Sequence, residues 1–249
     1  MAPAVLVTGG AKRVGLRFVH AFAAAGWHVV IHYGRSRGEA ESLAAQLPSA
    51  ECVSCDLTDS DAAVAMVESL AARLDDWRVL VNSAAVFDFD GADAIDTAIF
   101  VEAMTVNALT PTRMAQAFLR TAKARGGRRV IDVTDQKLRN PNPDFFSYTM
   151  AKHAFAASIR MMAMTAPDPA DRVYGIAPGA MLPSFDQREE EHEASGRMNL
   201  LSRLTDPDEL ADAALFMAQG WLASGETIFV DSGRHLLSQP RDVLYLARQ

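Results

Sequence analysis

The most restrictive feature of this chain is Thr8-Gly9-Gly10-Ala11-Lys12-Arg13-Val14-Gly15, set between an apolar run at Ala4–Thr8 and an amphipathic stretch at Val14–Ala25. Glycines at such a junction let the backbone turn sharply and approach another group closely, and the helix behind it offers free N–H groups and a partial positive charge. Val14, Phe18 and Phe22 recur four apart on one helical face, and Gly26 ends the stretch. The same strand-then-helix alternation continues, with further strands expected at His28–Tyr33, Glu51–Asp56, Val79–Asn82, Arg129–Val133, Arg172–Ile176 and Thr227–Val230. Near-continuous apolar strands separated by helices predict a parallel sheet covered on both faces.

About seven such strands make a doubly wound, Rossmann-type α/β fold, and no repeat or linker divides residues 1–249, so a single domain is expected. A net charge of −7 argues against a general nucleic-acid or anionic-membrane binder, so any anionic ligand must be drawn in by a local cluster of bases. The N-terminus carries no basic-then-apolar leader and no apolar run is long enough to span a bilayer, which points to a cytoplasmic protein. The two cysteines, Cys52 and Cys55, form a C-x-x-C inside a strand, where positions three apart face opposite ways. They read as ordinary buried thiols, and no metal site is expected. The acidic stretch Arg188 to Glu193, within Ala180–Gly196, reads as a solvated face or a substrate lid.

The end of the second strand selects the nucleotide. His32-Tyr33-Gly34-Arg35-Ser36 lacks the carboxylate that would bind a ribose 2′-hydroxyl. Arg35, Ser36 and Arg13 can instead hold a 2′-phosphate, so NADP(H) is the expected cofactor. Gly9, Lys12, Val14 and Gly15 would line the pyrophosphate, and Asp56 with Leu57 would meet the adenine. Farther on, Tyr148 and Lys152 stand four apart on a helix, on one face. An ammonium about 4 Å from the phenol, at an effective dielectric near 20, contributes roughly 4 kcal/mol, enough to bring a tyrosine near pH 7.

Together the glycine turn, Asn82-Ser83-Ala84, Asn107, the Tyr148/Lys152 pair and Pro178-Gly179 resemble a short-chain dehydrogenase/reductase over about Val5 to Gly233. The resemblance implies that Lys152 also holds the nicotinamide ribose, that Asn107 positions Lys152 through a water, that Pro178-Gly179 lies beside the nicotinamide, and that the protein is a homotetramer. Within the family the chain is most similar to pteridine reductases and dihydromonapterin reductases. Arg13 replaces the usual middle glycine, His32 to Ser36 matches an H-Y-x-R-S stretch, Phe87 follows Asn82-Ser83-Ala84, and Asp135 stands where the catalytic serine is usual. This narrower likeness implies a catalytic trio of Asp135, Tyr148 and Lys152, with a pterin between Phe87 and the nicotinamide and facing Arg13. Asp135 and Tyr148 would share one proton as a coupled pair.

The chain departs from that pattern at Ala85 and Val86, where pteridine reductases place serines, and in a longer tail, Arg234–Gln249, that can cover its own core or a neighbouring subunit. Two other readings stand beside a dihydropterin reductase: a carbonyl or 3-oxoacyl-type reductase, and a non-enzymatic NADP(H)-sensing protein. A carboxylate at 135 is a poor partner for a developing alkoxide, and a sensor has no need of the Tyr148/Lys152 pair.

Overall fold

The computed structural model describes residues 2–184 and 187–248. Seven parallel strands, β1 (Ala4–Val7), β2 (His28–Tyr33), β3 (Ala50–Ser54), β4 (Trp77–Asn82), β5 (Arg129–Val133), β6 (Arg172–Pro178) and β7 (Thr227–Val230), form one sheet in the order β3-β2-β1-β4-β5-β6-β7. All seven coincide with the expected runs to within about two residues. Alternation along each strand serves two apolar layers. Val5 and Val7 face α1 (Arg13–Ala24), α2 (Arg37–Gln46) and α8 (Pro207–Ala218), whereas Leu6 faces α3 (Ser60–Arg73), α5 (Thr110–Thr121) and α6 (Phe146–Met164). Cys52 packs with the first layer and Cys55 with the second, so the thiols diverge as the strand geometry requires; both are only partly buried.

The chain reverses its direction across the sheet between β1 and β4, and this opens a crevice at their C-terminal ends. The glycine turn closes one side of it. Gly15 packs so tightly that a Cβ there would lie 2.2 Å from the carbonyl oxygen of Gly9, and Gly9 has a φ of +64°. α4 (Thr97–Met104) and α5 form one rod broken by a single π turn at Thr105–Leu109. Beyond β6, the charged stretch forms a short helix, α7 (Glu189–Gly196); Phe185 and Asp186 just before it lie outside the described residues. The tail, ending in α9 (Val243–Leu246), folds back over the chain's own crevice rim, where Leu244 packs with Phe145 and Tyr148. Among the described residues no helix is long and apolar enough to cross a membrane.

His32 ties β2 to the turn from below. Its ring is only 2% exposed; Nδ1 accepts from the Gly9 N–H at 3.2 Å, which leaves Nε2 to donate to the Cys55 carbonyl at 3.1 Å. Burial pushes its pKa down from 6.5 to about 4. The unfolded chain therefore takes up this proton first as the pH falls, so stability is lost between pH 6.5 and about 4. The loss is about 3 kcal/mol. Urea unfolding at neutral pH and at pH 4 is expected to show this fall, and to show a smaller one in His32→Gln; equal losses in both would contradict the assignment.

Candidate active site

The floor of the crevice is held by a hydroxyl. Thr8 Oγ1 accepts from the N–H groups of Ser83 (2.9 Å) and Ala84 (3.0 Å), which locks the end of β4 to the end of β1. A Cβ on Gly9 would come within 3.1 Å of Ala84 Cα, so the two backbones meet only because residue 9 is glycine. Arg13 opens α1 in the left-handed region (φ 54°), and its guanidinium crosses to the Pro183 carbonyl at 2.9 Å. Burial and the Arg13 charge lower the pKa of His192 on α7, which puts that helix over the same turn.

Arg35 is exposed at the end of β2, and the Ser36 hydroxyl is not used to cap α2. Lys12 pairs with Glu39 at 2.6 Å on the surface beside them. Asp56 is also exposed, with its carboxyl held below the usual range by the N–H and hydroxyl of Thr58; Leu57 is buried next to it. Val14 packs on the core beneath the turn, and Gly179 lies so close to Asp231 that a Cβ would meet it at 2.9 Å, which holds Pro178-Gly179 against the end of β7.

Three residues expected at the nucleotide have buried side chains. His32 is the buried strut described above, Tyr33 is buried in the core, and Asn82 turns inward, donating to Asp132 at 2.8 Å and to the Pro111 carbonyl at 3.3 Å. Each sits at a strand end where alternation directs the side chain into a layer rather than into the crevice. Asn107, expected to position Lys152, uses both ends of its amide on the backbone of Val86, each at 2.9 Å. The π turn carries this buried side chain, which fixes the residue next to Phe87.

Asp135 and Tyr148 meet as expected. The Tyr148 hydroxyl donates to Asp135 Oδ2 at 2.9 Å, and the Lys137 N–H donates to Oδ1 at 2.7 Å. Tyr148 sits in the first turn of α6, which Asp90 caps by accepting from the N–H and hydroxyl of Ser147. The residue before that helix, Phe145, holds φ 54° and ψ 52°, a left-handed conformation that costs a non-glycine residue about 1–3 kcal/mol.

Lys152 corrects the sequence-based electrostatics. Its ammonium is buried and donates to the Val133 carbonyl at 2.7 Å, not to the phenol. Burial, then the Asp135 charge and hydrogen bond, push the Tyr148 pKa well above 10, the reverse of the expected fall. Burial lowers Lys152 to about 8 against the opposing charges of Asp135 and Asp132. Asp132 had not been singled out. It is fully buried, burial raises its pKa to about 7, and one of its oxygens has no partner. An acid within the apolar run Arg-Val-Ile-Asp-Val was the signal for it.

Phe87 stands at the mouth, stacked on Phe145 at 4.1 Å between centroids and edge-on to Tyr148 at 4.7 Å, yet 44% exposed. The crevice thus joins a glycine-lined anion cradle, a buried ammonium, a phenol–carboxylate pair and an open aromatic face. A cradle that a Cβ would fill, beside exposed Arg35, suits a phosphorylated dinucleotide.

Comparison with known proteins identifies the family. A family model described as enoyl-(acyl carrier protein) reductase matches residues 9–235. Pteridine reductase 1 of Leishmania tarentolae is 28% identical over 94% of this chain and 97% of its own, and the 7alpha-hydroxysteroid dehydrogenase of Escherichia coli K12 is 27% identical over 92% of each. The crystal structure of FolM alternative dihydrofolate reductase 1 from Brucella canis, complexed with NADP, superposes with a TM-score of 0.89 at 32% identity, covering 96% of both chains. The chain belongs to the short-chain dehydrogenase/reductase family of oxidoreductases.

Proposed function

We propose that this NADP-dependent enzyme reduces a C=N bond of a dihydropterin to give a tetrahydropterin. The observation that carries the reading is the 2.9 Å hydrogen bond from Tyr148 to a carboxylate, Asp135, directly beside the half-exposed ring of Phe87. Bound NADPH supplies a hydride from its nicotinamide. Gly9, Arg13, Val14 and Gly15 would cradle the pyrophosphate, Arg35, Ser36 and Lys12 the 2′-phosphate, and Asp56 with Leu57 the adenine. Ser83, Ala84, Pro178, Gly179 and Lys152 would hold the nicotinamide end.

The protein's own task is to orient the substrate ring and to deliver a proton to its nitrogen. Phe87 offers a flat face, and Arg13 would present a cation to a ring bound against it. Tyr148 holds the proton to be delivered on its phenolic oxygen. Because burial and Asp135 make the phenolate costly, the proton that leaves Tyr148 has to be replaced from water, since the Asp135 carboxylate only accepts along this hydrogen bond. The pair therefore acts as one unit sharing one proton, with Tyr148 as the delivering group and Asp135 as the acceptor that orients its hydroxyl. Lys152 supplies the positive charge that makes two acids tolerable in a buried site.

NADPH oxidation with dihydrobiopterin, dihydromonapterin and dihydrofolate, against a panel of ketones, tests the reading: turnover is expected with the dihydropterins, and activity confined to ketones or absent altogether would refute it. Tyr148→Phe and Asp135→Asn should each lose about a hundredfold or more of kcat. Both should still bind NADPH, and unchanged rates in both would overturn the assignment. The rate should also fall as the pH rises through about 8, where Lys152 loses its proton and Asp135 and Asp132 lose their counter-charge. A kcat/KM profile at saturating NADPH that stays level to roughly pH 9.5 would contradict this role.

A further inference from the structure

The tail beyond β7 is fastened to the rim of the crevice by charge. Arg241 grips the buried Asp144 carboxylate with its Nε and Nη2 (2.7–3.0 Å), and the Asp242 N–H is a third donor to it at 2.7 Å. The Asp242 carboxylate pairs with buried Lys137 at 2.6 Å, and Lys137 is the residue whose N–H holds Asp135. Farther on, Arg248 reaches Glu191 on α7 at 3.3 Å. Surface ion pairs contribute little, but here Lys137 and Asp144 are buried and each is also hydrogen-bonded, so breaking either pair strands a charge.

These bonds deliver one ring to a particular place. Tyr245 lies near-parallel to Phe145 (24°, centroids 6.2 Å apart), and Phe145 lies near-parallel to Phe87 (18°, 4.1 Å). Phe89 adds edge contacts to both Phe145 and Tyr245. Two cations steady the column, Lys137 at 5.1 Å from the Phe145 centroid and Arg241 at 5.0 Å from that of Tyr245. The column ends at Phe87, the ring whose remaining surface is open. Phe145 also carries the left-handed backbone that starts α6, so a pushed-back Phe145 would move both the wall and the helix bearing Tyr148.

We propose that Tyr245 is a positioning residue for ring-shaped substrates: acting through Phe145, it backs Phe87 and fixes the plane against which a flat heterocycle stacks. The tail is then part of the substrate site, and the preference it confers is for planar aromatic substrates over acyclic ones. This rests on the proposed reductase function for the stacking of a pterin, but the claim about planarity holds for any flat substrate.

The test is steady-state kinetics of Tyr245→Ala and Tyr245→Phe with NADPH and three acceptors: dihydrobiopterin, the flat aromatic diketone phenanthrenequinone, and the acyclic diketone diacetyl. Tyr245→Ala should raise KM for the ring acceptors about five- to tenfold, the worth of one aromatic contact, with little change in kcat. KM for NADPH should stay at the wild-type value, any rate on diacetyl should be unaffected, and Tyr245→Phe, which keeps the ring, should restore the wild-type KM. A wild-type KM in Tyr245→Ala, an equal defect in Tyr245→Phe, or a parallel rise in KM for NADPH would overturn the proposal. Wild-type enzyme that reduces phenanthrenequinone but no dihydropterin would refute the dihydropterin reading and leave the tail tested on the quinone; enzyme inert to both rings would refute both.

Discussion

The hydrogen bond from Tyr148 to Asp135 joins the end of β5 to the first turn of α6 at the crevice. Asp135 lies just past β5, fixed by a backbone N–H from Lys137, and Tyr148 lies one turn into α6, fixed by the Asp90 cap and by the left-handed turn at Phe145. Several irregular features of the chain surround that bond. The π turn frees Asn107 to hold Val86 and so Phe87, and the tail clamps Lys137 and Asp144, which flank the two partners. The regular sheet supplies the frame, and the strained and charged elements supply the alignment.

Placing a phenol, two carboxylates and an ammonium in one dry volume is costly unless their charges balance. The balance is made locally. Lys152 answers Asp135 and Asp132, Asn82 gives Asp132 one hydrogen bond, and the phenol stays neutral. A neutral phenol is what distinguishes this site from one in which a nearby ammonium generates a phenolate. With carboxylate rather than ammonium at the phenolic oxygen, Tyr148 is a weak acid that keeps its proton until a base arrives, which the proposed substrate nitrogen would supply.

The sheet was legible in the sequence because its signals are local: apolar runs of strand length, a helix with Val14, Phe18 and Phe22 on one face, and glycines at the junction. The pairing of Asp135 with Tyr148 was legible too, through resemblance and not through spacing. What the sequence hid was direction. Four residues on a helix place Lys152 on the face of Tyr148, but the amine reaches past the phenol to the Val133 carbonyl, because a buried ammonium needs an acceptor and the nearest backbone provides one. His32, Tyr33 and Asn82 likewise have the residue types of a nucleotide site, yet strand alternation turns them inward. The tail's ion pairs with Asp144 and Lys137 bridge about a hundred residues, a separation at which no local pattern gives warning.

The central claim is that Tyr148 rests as a neutral phenol donating to Asp135. The chain has four tyrosines, so NMR of protein labelled with carbon-13 at the tyrosine Cζ gives a spectrum in which Tyr148 is assigned by its loss in Tyr148→Phe. The account predicts that this resonance keeps its phenol position through roughly pH 10, where an ordinary tyrosine is already half titrated. A shift to the phenolate position near neutral pH would contradict it.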